Sequence, residues 1–162
     1  MKIRIFCIGG TIDKIYFDAK SKYEVGAPSI GKVLREYDVG LKFNVTSLMA
    51  KDSLDVTDGD REIIRLAVKD TSEDKIIITH GTDTMVKTAT ALSEFTDKTI
   101  ILTGALAPAI FKDSDAVFNV GCALAAVQTS PVGIYIAMNG RIFDYREVRK
   151  DVENNRFIGV ND

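Results

Sequence analysis

Two short segments, Ile8-Gly9-Gly10-Thr11-Ile12 and Thr79-His80-Gly81-Thr82-Asp83-Thr84-Met85, each set a threonine directly after glycine, just past an apolar run. A threonine hydroxyl is a weak nucleophile until a base or a positioned cation lies beside it. Two such hydroxyls at two strand ends, one followed by an acid, point to nucleophilic attack by a hydroxyl group. Gly9 and Gly10 let the backbone turn sharply and approach a ligand closely. After Gly81 the next residues open a helix, where backbone N–H groups can receive an anion or an oxyanion. Plain cap chemistry competes with this reading: a glycine turn with a capping threonine at Thr11, and a helix cap with an acid in the first turn at Thr82 and Asp83. Capping explains either segment singly. It does not explain Gly-Thr at both strand ends.

A base must come from elsewhere. The single histidine, His80, lies at a strand end, and its residue type there favours a buried, hydrogen-bonded role over a catalytic one. A desolvated lysine could serve instead, and Lys150, which follows the last strand and its turn, is a candidate; a solvated surface lysine is the alternative. Ser53, in Lys51-Asp52-Ser53-Leu54-Asp55, follows the second strand, and Gly104-Ala105 holds the same position after the fourth. Helix capping accounts for Ser53 nearly as well as ligand binding does. Neither of the glycine-rich phosphate-loop patterns occurs. Cys7 and Cys122 have no metal spacing and read as small buried hydrophobes.

The elements that must position these residues are legible as periodicity. Apolar, partly β-branched runs at 3–8, 43–49, 75–79, 99–103 and 132–138 read as strands, the central ones covered on both faces. Helical patterns lie between them at 29–37, 58–71, 84–95 and 116–128, with Thr57 and Asp58 as N-cap candidates for the second. Such alternation predicts an α/β fold: a mainly parallel sheet with helices on both faces, a three-layer Rossmann- or flavodoxin-like arrangement. The threonines then sit at the carboxyl edge of the sheet, where open α/β sheets bind ligands. Residues 13–27 form the one long irregular segment, a candidate lid. Residues 151–162 read as a loop or a frayed end.

The chain has 162 residues and 46% hydrophobic content, enough for one domain with its own core. A net charge of -2, with basic residues scattered, gives no reason to expect nucleic acid or a membrane surface as partner. No apolar run approaches the roughly 20 residues that span a bilayer. The first residues alternate charge with apolar side chains, unlike a signal peptide, so the expected location is cytoplasmic.

These segments resemble the two signature motifs of the bacterial-type L-asparaginase/glutaminase family, and the second is long and specific. Tyr23-Glu24-Val25-Gly26 is similar to that family's mobile tyrosine loop, Asp52-Ser53-Leu54-Asp55 to its substrate-carboxylate loop, and Gly104-Ala105 to its short Gly-Ala element. Met138-Asn139 and the stretch from Asp144 to Lys150 resemble the approach to its catalytic lysine. The resemblance implies an amidohydrolase that takes the side-chain amide of L-asparagine to aspartate and ammonia through an acyl-enzyme, with neither metal nor organic cofactor. It implies catalytic roles for Thr11, Tyr23, Thr82, Asp83 and Lys150: Tyr23 assists Thr11, Lys150 polarises Thr82, and Asp83 holds Lys150 and the substrate ammonium. It implies substrate contacts at Gly10, Ser53, Leu54, Gly81 and Ala105, with Ser53 on the α-carboxylate and the Ala105 carbonyl on the amide.

Members of that family usually carry a second, smaller domain. The expected organisation here is a catalytic-type domain over 1–150, a tail over 151–162 and no second domain. Leu54 stands where many members have a polar contact, and Gly104-Ala105-Leu106-Ala107-Pro108 lacks a basic residue often found before that proline. A module that binds asparagine or aspartate without turnover, and an amidase for another amide, are the alternatives. A half-open site is expected to favour a homo-oligomer, a dimer or tetramer.

Overall fold

The parity of apolar side chains along each strand sorts them onto two faces, and two cores follow from it. The computed structural model describes Met1–Asp162. In β1 (Lys2–Gly9), Phe6 and Ile8 enter one core, while Ile3, Ile5 and Cys7 enter the other. The strand β5 (Lys75–Thr79) divides likewise, with Ile76 and Ile78 against Ile77, and so does β6 (Thr99–Thr103), with Ile100 and Leu102 against Ile101. Residues that alternate faces but are apolar on both must be covered twice. Helices α2 (Asp58–Asp70) and α3 (Met85–Ala91) cover the first face through Ile64, Val68, Met85 and Ala89. The second face is covered by α1 (Ile30–Glu36) and α4 (Ala116–Thr129), through Ile30, Leu34, Val120 and Ala123. The expected three layers are present.

With β4 (Lys42–Lys51), β7 (Gly133–Met138) and β8 (Arg141–Asp144), the main sheet has the order β4-β1-β5-β6-β7-β8. Its first five strands are parallel and β8 is antiparallel. Numbered among themselves, the parallel strands run 2-1-3-4-5, the flavodoxin-like order. The chain reverses its direction of travel across the sheet between β1 and β5. That switch point opens a crevice outside the carboxyl ends of these two strands, where a ligand has room to sit.

Three segments differ from the sequence expectation. Residues 13–27 are not irregular: Lys14–Phe17 (β2) and Lys22–Val25 (β3) pair as an antiparallel hairpin, with Tyr16 opposite Tyr23. Both strands are short, and Ile15, Tyr16, Phe17 and Tyr23 stay largely in solvent, so no run of buried apolar residues marks them in the sequence. The expected tail is also ordered. Strand β9 (Val148–Asp151) pairs with β10 (Arg156–Gly159), and Phe157, 2% exposed, is buried in the first core. The boundary expected at 150 therefore falls inside β9. Strand β8 follows an Asn139-Gly140 turn with φ of 54° and 75°, the left-handed pair that a tight two-residue hairpin requires.

One joint matters for the site. Thr57 and Asp60 form a reciprocal capping box at the start of α2, as Thr57 suggested. Lys51 Nζ adds a 2.8 Å contact to the Asp60 carboxylate and, with the Thr57 donors, holds its pKa down to about 2. The end of β4 and the start of α2 are thus clamped, and the short turn Ser53–Asp55 between them is fixed.

Candidate active site

At the switch point the two glycine-threonine segments meet back to back. Gly10 has φ of 86°, and a side chain on it would run into the Gly81 backbone. A side chain on Gly81 would run into Ser53. Only residues without a Cβ let three loops, those after β1, β4 and β5, nest this closely. Gly10 N–H donates to the Lys51 carbonyl at 2.8 Å, which secures the first loop to the end of β4.

Thr82 and Asp83 follow β5, and Lys150 reaches them from β9. Lys150 Nζ donates to Thr82 Oγ1 at 2.8 Å and to Asp83 Oδ1 at 2.6 Å. The Thr82 residue is 6% exposed and the Lys150 side chain 11%. An ammonium that far from water needs a partner, and Asp83 supplies it. The other carboxylate oxygen of Asp83 accepts from Ser53 Oγ at 3.2 Å, and Ser53 Oγ accepts from Asp83 N–H at the same distance. The line Ser53–Asp83–Lys150–Thr82 is continuous. Simple capping is not what these side chains do: Thr84 holds the cap position of α3 without a side-chain cap bond, and its hydroxyl donates to the Ser53 carbonyl at 2.7 Å.

His80 is fully buried. Its Nδ1–H donates to the Gly81 carbonyl at 2.7 Å and its Nε2 accepts from Thr88 Oγ1 at 2.8 Å. Burial pushes its pKa down to about 4. It is a neutral structural imidazole that shapes the turn before Thr82, in agreement with the buried reading.

Thr11 opens a short turn, Thr11–Asp13, and is half-buried. Tyr23 lies on β3, 48% exposed, with its ring edge-on to Tyr16 (centroids 5.4 Å apart) and to Phe111 (5.8 Å). No hydrogen bond joins its hydroxyl to Thr11 in this position of the hairpin. The hairpin is tied down at its base. Gly26 N–H donates to the Asp13 carbonyl at 2.8 Å, Ser29 N–H to Asp13 Oδ1 at 2.7 Å, and Lys14 pairs with Asp52 at 2.7 Å. Asp13 is a residue the sequence reading passed over; an acid two positions past the threonine was its only signal. Burial raises the Asp13 carboxyl to about 6.

Ala105 is buried beyond β6, and its carbonyl accepts no hydrogen bond from the chain. Leu54 is 74% exposed at the rim, beside Ser53. No group of three or more His, Cys, Asp or Glu side chains is arranged to hold a metal ion. The largest cleft, about 290 Å³ and lined by Phe95, Tyr135, Asp144 and Arg146 among others, lies toward the amino ends of the strands, away from the threonines. No helix is long and apolar enough to cross a membrane.

Comparison with known proteins bears on this geometry. The family model "Asparaginase, N-terminal" matches residues 2–157. A glutaminase-asparaginase of Acinetobacter glutaminasificans is 33% identical over 120 residues, covering 67% of this chain and 36% of the relative. An L-asparaginase of Thermococcus kodakarensis is 32% identical over 149 residues, covering 88% of this chain and 45% of the relative. The solved structure of the thermostable L-asparaginase from Thermococcus kodakarensis superposes with a TM-score of 0.86 at 28% identity, over 100% of this chain and 52% of that one. The chain spans about half the length of these relatives, or less.

Proposed function

This chain belongs to the asparaginase family, and from that premise we propose that it hydrolyses the side-chain amide of L-asparagine to aspartate and ammonia through a threonine ester. One observation carries the reading. Lys150 Nζ lies 2.8 Å from Thr82 Oγ1 while Asp83 holds it at 2.6 Å, with the lysine and threonine side chains largely buried and the carboxylate open to the crevice. A cation fixed on a hydroxyl oxygen stabilises the alkoxide character that attack requires.

In the proposed reaction a threonine Oγ forms a bond to the amide carbon. The hydroxyl proton ends on the departing nitrogen, the C–N bond breaks and ammonia leaves. Water then cleaves the ester, returning the hydroxyl and releasing aspartate. Thr82 is the hydroxyl activated by Lys150 and Asp83. Thr11, across the crevice, is the second candidate nucleophile, and Tyr23 serves it once the hairpin folds down on bound substrate. Ser53 Oγ, at the end of the polar line, receives the α-carboxylate. Gly10 and Gly81 supply close backbone, Leu54 the rim, and the Ala105 carbonyl accepts from the amide nitrogen. The reaction exchanges one acyl–nitrogen bond for water and requires no redox partner or metal.

Asparagine is preferred over glutamine in this proposal. A homo-oligomer is supported by large apolar side chains left in solvent, Tyr37 and Phe118 among them. A cytoplasmic setting is supported by two cysteines that remain free thiols.

The test is ammonia release from asparagine and from glutamine, measured side by side with calorimetric binding. The expected result is release from both, faster from asparagine. Tight binding of asparagine without ammonia would replace the enzyme with a binding module. Release only from bulkier amides would move the substrate class.

A further inference from the structure

Past β6 the chain crosses the carboxyl edge as Gly104-Ala105-Leu106-Ala107, next to the strand that delivers Thr82. Four backbone groups flanking Ala105 are held by one small cluster. Asp115, at the amino end of α4, accepts from Leu106 N–H (2.9 Å) and Ala107 N–H (3.0 Å) through Oδ1. Through Oδ2 it accepts from Asn119 Nδ2 at 2.8 Å. That same Nδ2 donates to the Gly104 carbonyl at 3.1 Å. Ser114 Oγ donates to the Ala107 carbonyl at 2.9 Å. Asn119 is 1% exposed, and its own Oδ1 has no partner. The amide is therefore oriented by its two acceptors alone; turned over, it would set oxygen against both. The Ala105 carbonyl accepts no bond within the chain, the Gly104 and Ala105 N–H groups make none, and all three are left for a ligand.

We propose that Asp115 and Asn119 are positioning residues for amide hydrolysis: together they brace the turn on both sides of Ala105 and aim its carbonyl at the leaving nitrogen. The inference rests on the asparagine reading above and deepens it. The side-chain amide nitrogen has two N–H groups, and it keeps both while it gains the threonine proton and departs as ammonia. A carbonyl held in line with that nitrogen grips it throughout, and a small misplacement weakens the grip at the moment the C–N bond breaks. Neither Asp115 nor Asn119 touches substrate; both act through the backbone of Ala105.

The leaving group separates this role from general structural support. Aspartate β-methyl ester offers the same carbonyl carbon but a leaving oxygen with no hydrogen to donate, so its cleavage does not use the Ala105 carbonyl. We would measure kcat and KM for asparagine and for this ester with the wild type, Asp115→Ala, Asp115→Asn and Asn119→Ala, alongside thermal melts. Asp115→Ala is expected to lower kcat on asparagine by about ten-fold more than kcat on the ester, with KM changing less, on the scale of a misplaced positioning contact. Asp115→Asn keeps an oxygen for Leu106 and Ala107 and is expected to recover part of the loss. If Asp115→Ala does not fold, Asn119→Ala, which frees the Gly104 carbonyl and leaves Asp115 Oδ2 with Leu106 N–H as its remaining donor, is judged by the same ratio. An equal fall on both substrates, or no fall, overturns the proposal. So does a loss on asparagine that lies in KM alone. A wild type that cleaves the ester but not asparagine refutes the aiming of Ala105; one that cleaves neither removes the asparagine reading, and this proposal with it.

Discussion

At the scale of single residues, protonation distinguishes the groups that can act from those that only hold. His80, kept neutral by burial with a pKa near 4, moves no proton at ordinary pH. Its pKa lies below the unfolded value near 6.5, so its share of stability falls as pH drops from about 6.5 toward 4. Asp13 runs the other way. Its folded pKa of about 6 lies above the ordinary 3.8, so the folded chain takes up that proton more readily than the unfolded one, and stability from this group rises as pH falls through 6 toward 4. Asp13→Asn removes that titration while keeping an oxygen for Ser29. Thermal melts from pH 4 to 8 should show the variant gaining on the wild type above pH 6 and losing the advantage toward pH 4. A gap that stays constant with pH would mean that the Asp13 carboxyl titrates normally. In the sequence, Thr11, Thr82, Asp83 and Ser53 were visible because each sits after an apolar run. Asp13 was not, since nothing local distinguishes a buried acid from a solvated one.

Among the elements, the carboxyl-terminal hairpin has the largest consequence for the site. Lys150 lies on β9, and β9 is held by pairing with β10, by Phe157 in the core and by the 2.8 Å bond from Phe157 N–H to Asn139 Oδ1. Phe157 is the cross-strand partner of Lys150, and removing its ring empties core volume under that strand pair. Phe157→Ala is expected to cost about 3–5 kcal/mol in denaturant unfolding and to reduce ammonia release, since Nζ loses its fixed support. Val152→Ala, at a side chain 75% exposed, should stay within about 0.5 kcal/mol of the wild type. A Phe157→Ala protein that keeps wild-type stability and rate would mean that β10 does not brace the site. Periodicity gave the five parallel strands, because their apolar content records burial on both faces. It missed β2, β3, β8, β9 and β10, short ribbons whose pairing is written in their turns. The Asn139-Gly140 pair was a readable hairpin signal, and Asn154-Asn155 a weaker one, with Asn155 at φ of 48°.

For the whole molecule, the strand order explains why chemistry concentrates in one place. A 2-1-3-4-5 parallel sheet has a single switch point, between β1 and β5. The two Gly-Thr turns follow those two strands, so topology brings together residues about seventy positions apart in sequence. The fold class could be read from the alternation of elements, but the strand order could not, because crossovers of equal length permit several orders. The open rim, with Leu54, Tyr16 and Phe111 in solvent, favours self-association in the proposed assembly. Light scattering at working concentration should give a mass above the 17.8 kDa of one chain. A mass equal to one chain at all concentrations tested would contradict the homo-oligomer.

The pairing of two threonines with one lysine-aspartate couple is tested most directly by ammonia release from asparagine in Thr11→Ala and Thr82→Ala, assayed beside the wild type. Each substitution should lower the rate by about 100-fold or more, the scale of losing a principal catalytic group, with the fold intact by circular dichroism. Near-wild-type turnover in both variants would contradict hydrolysis through a threonine at this site.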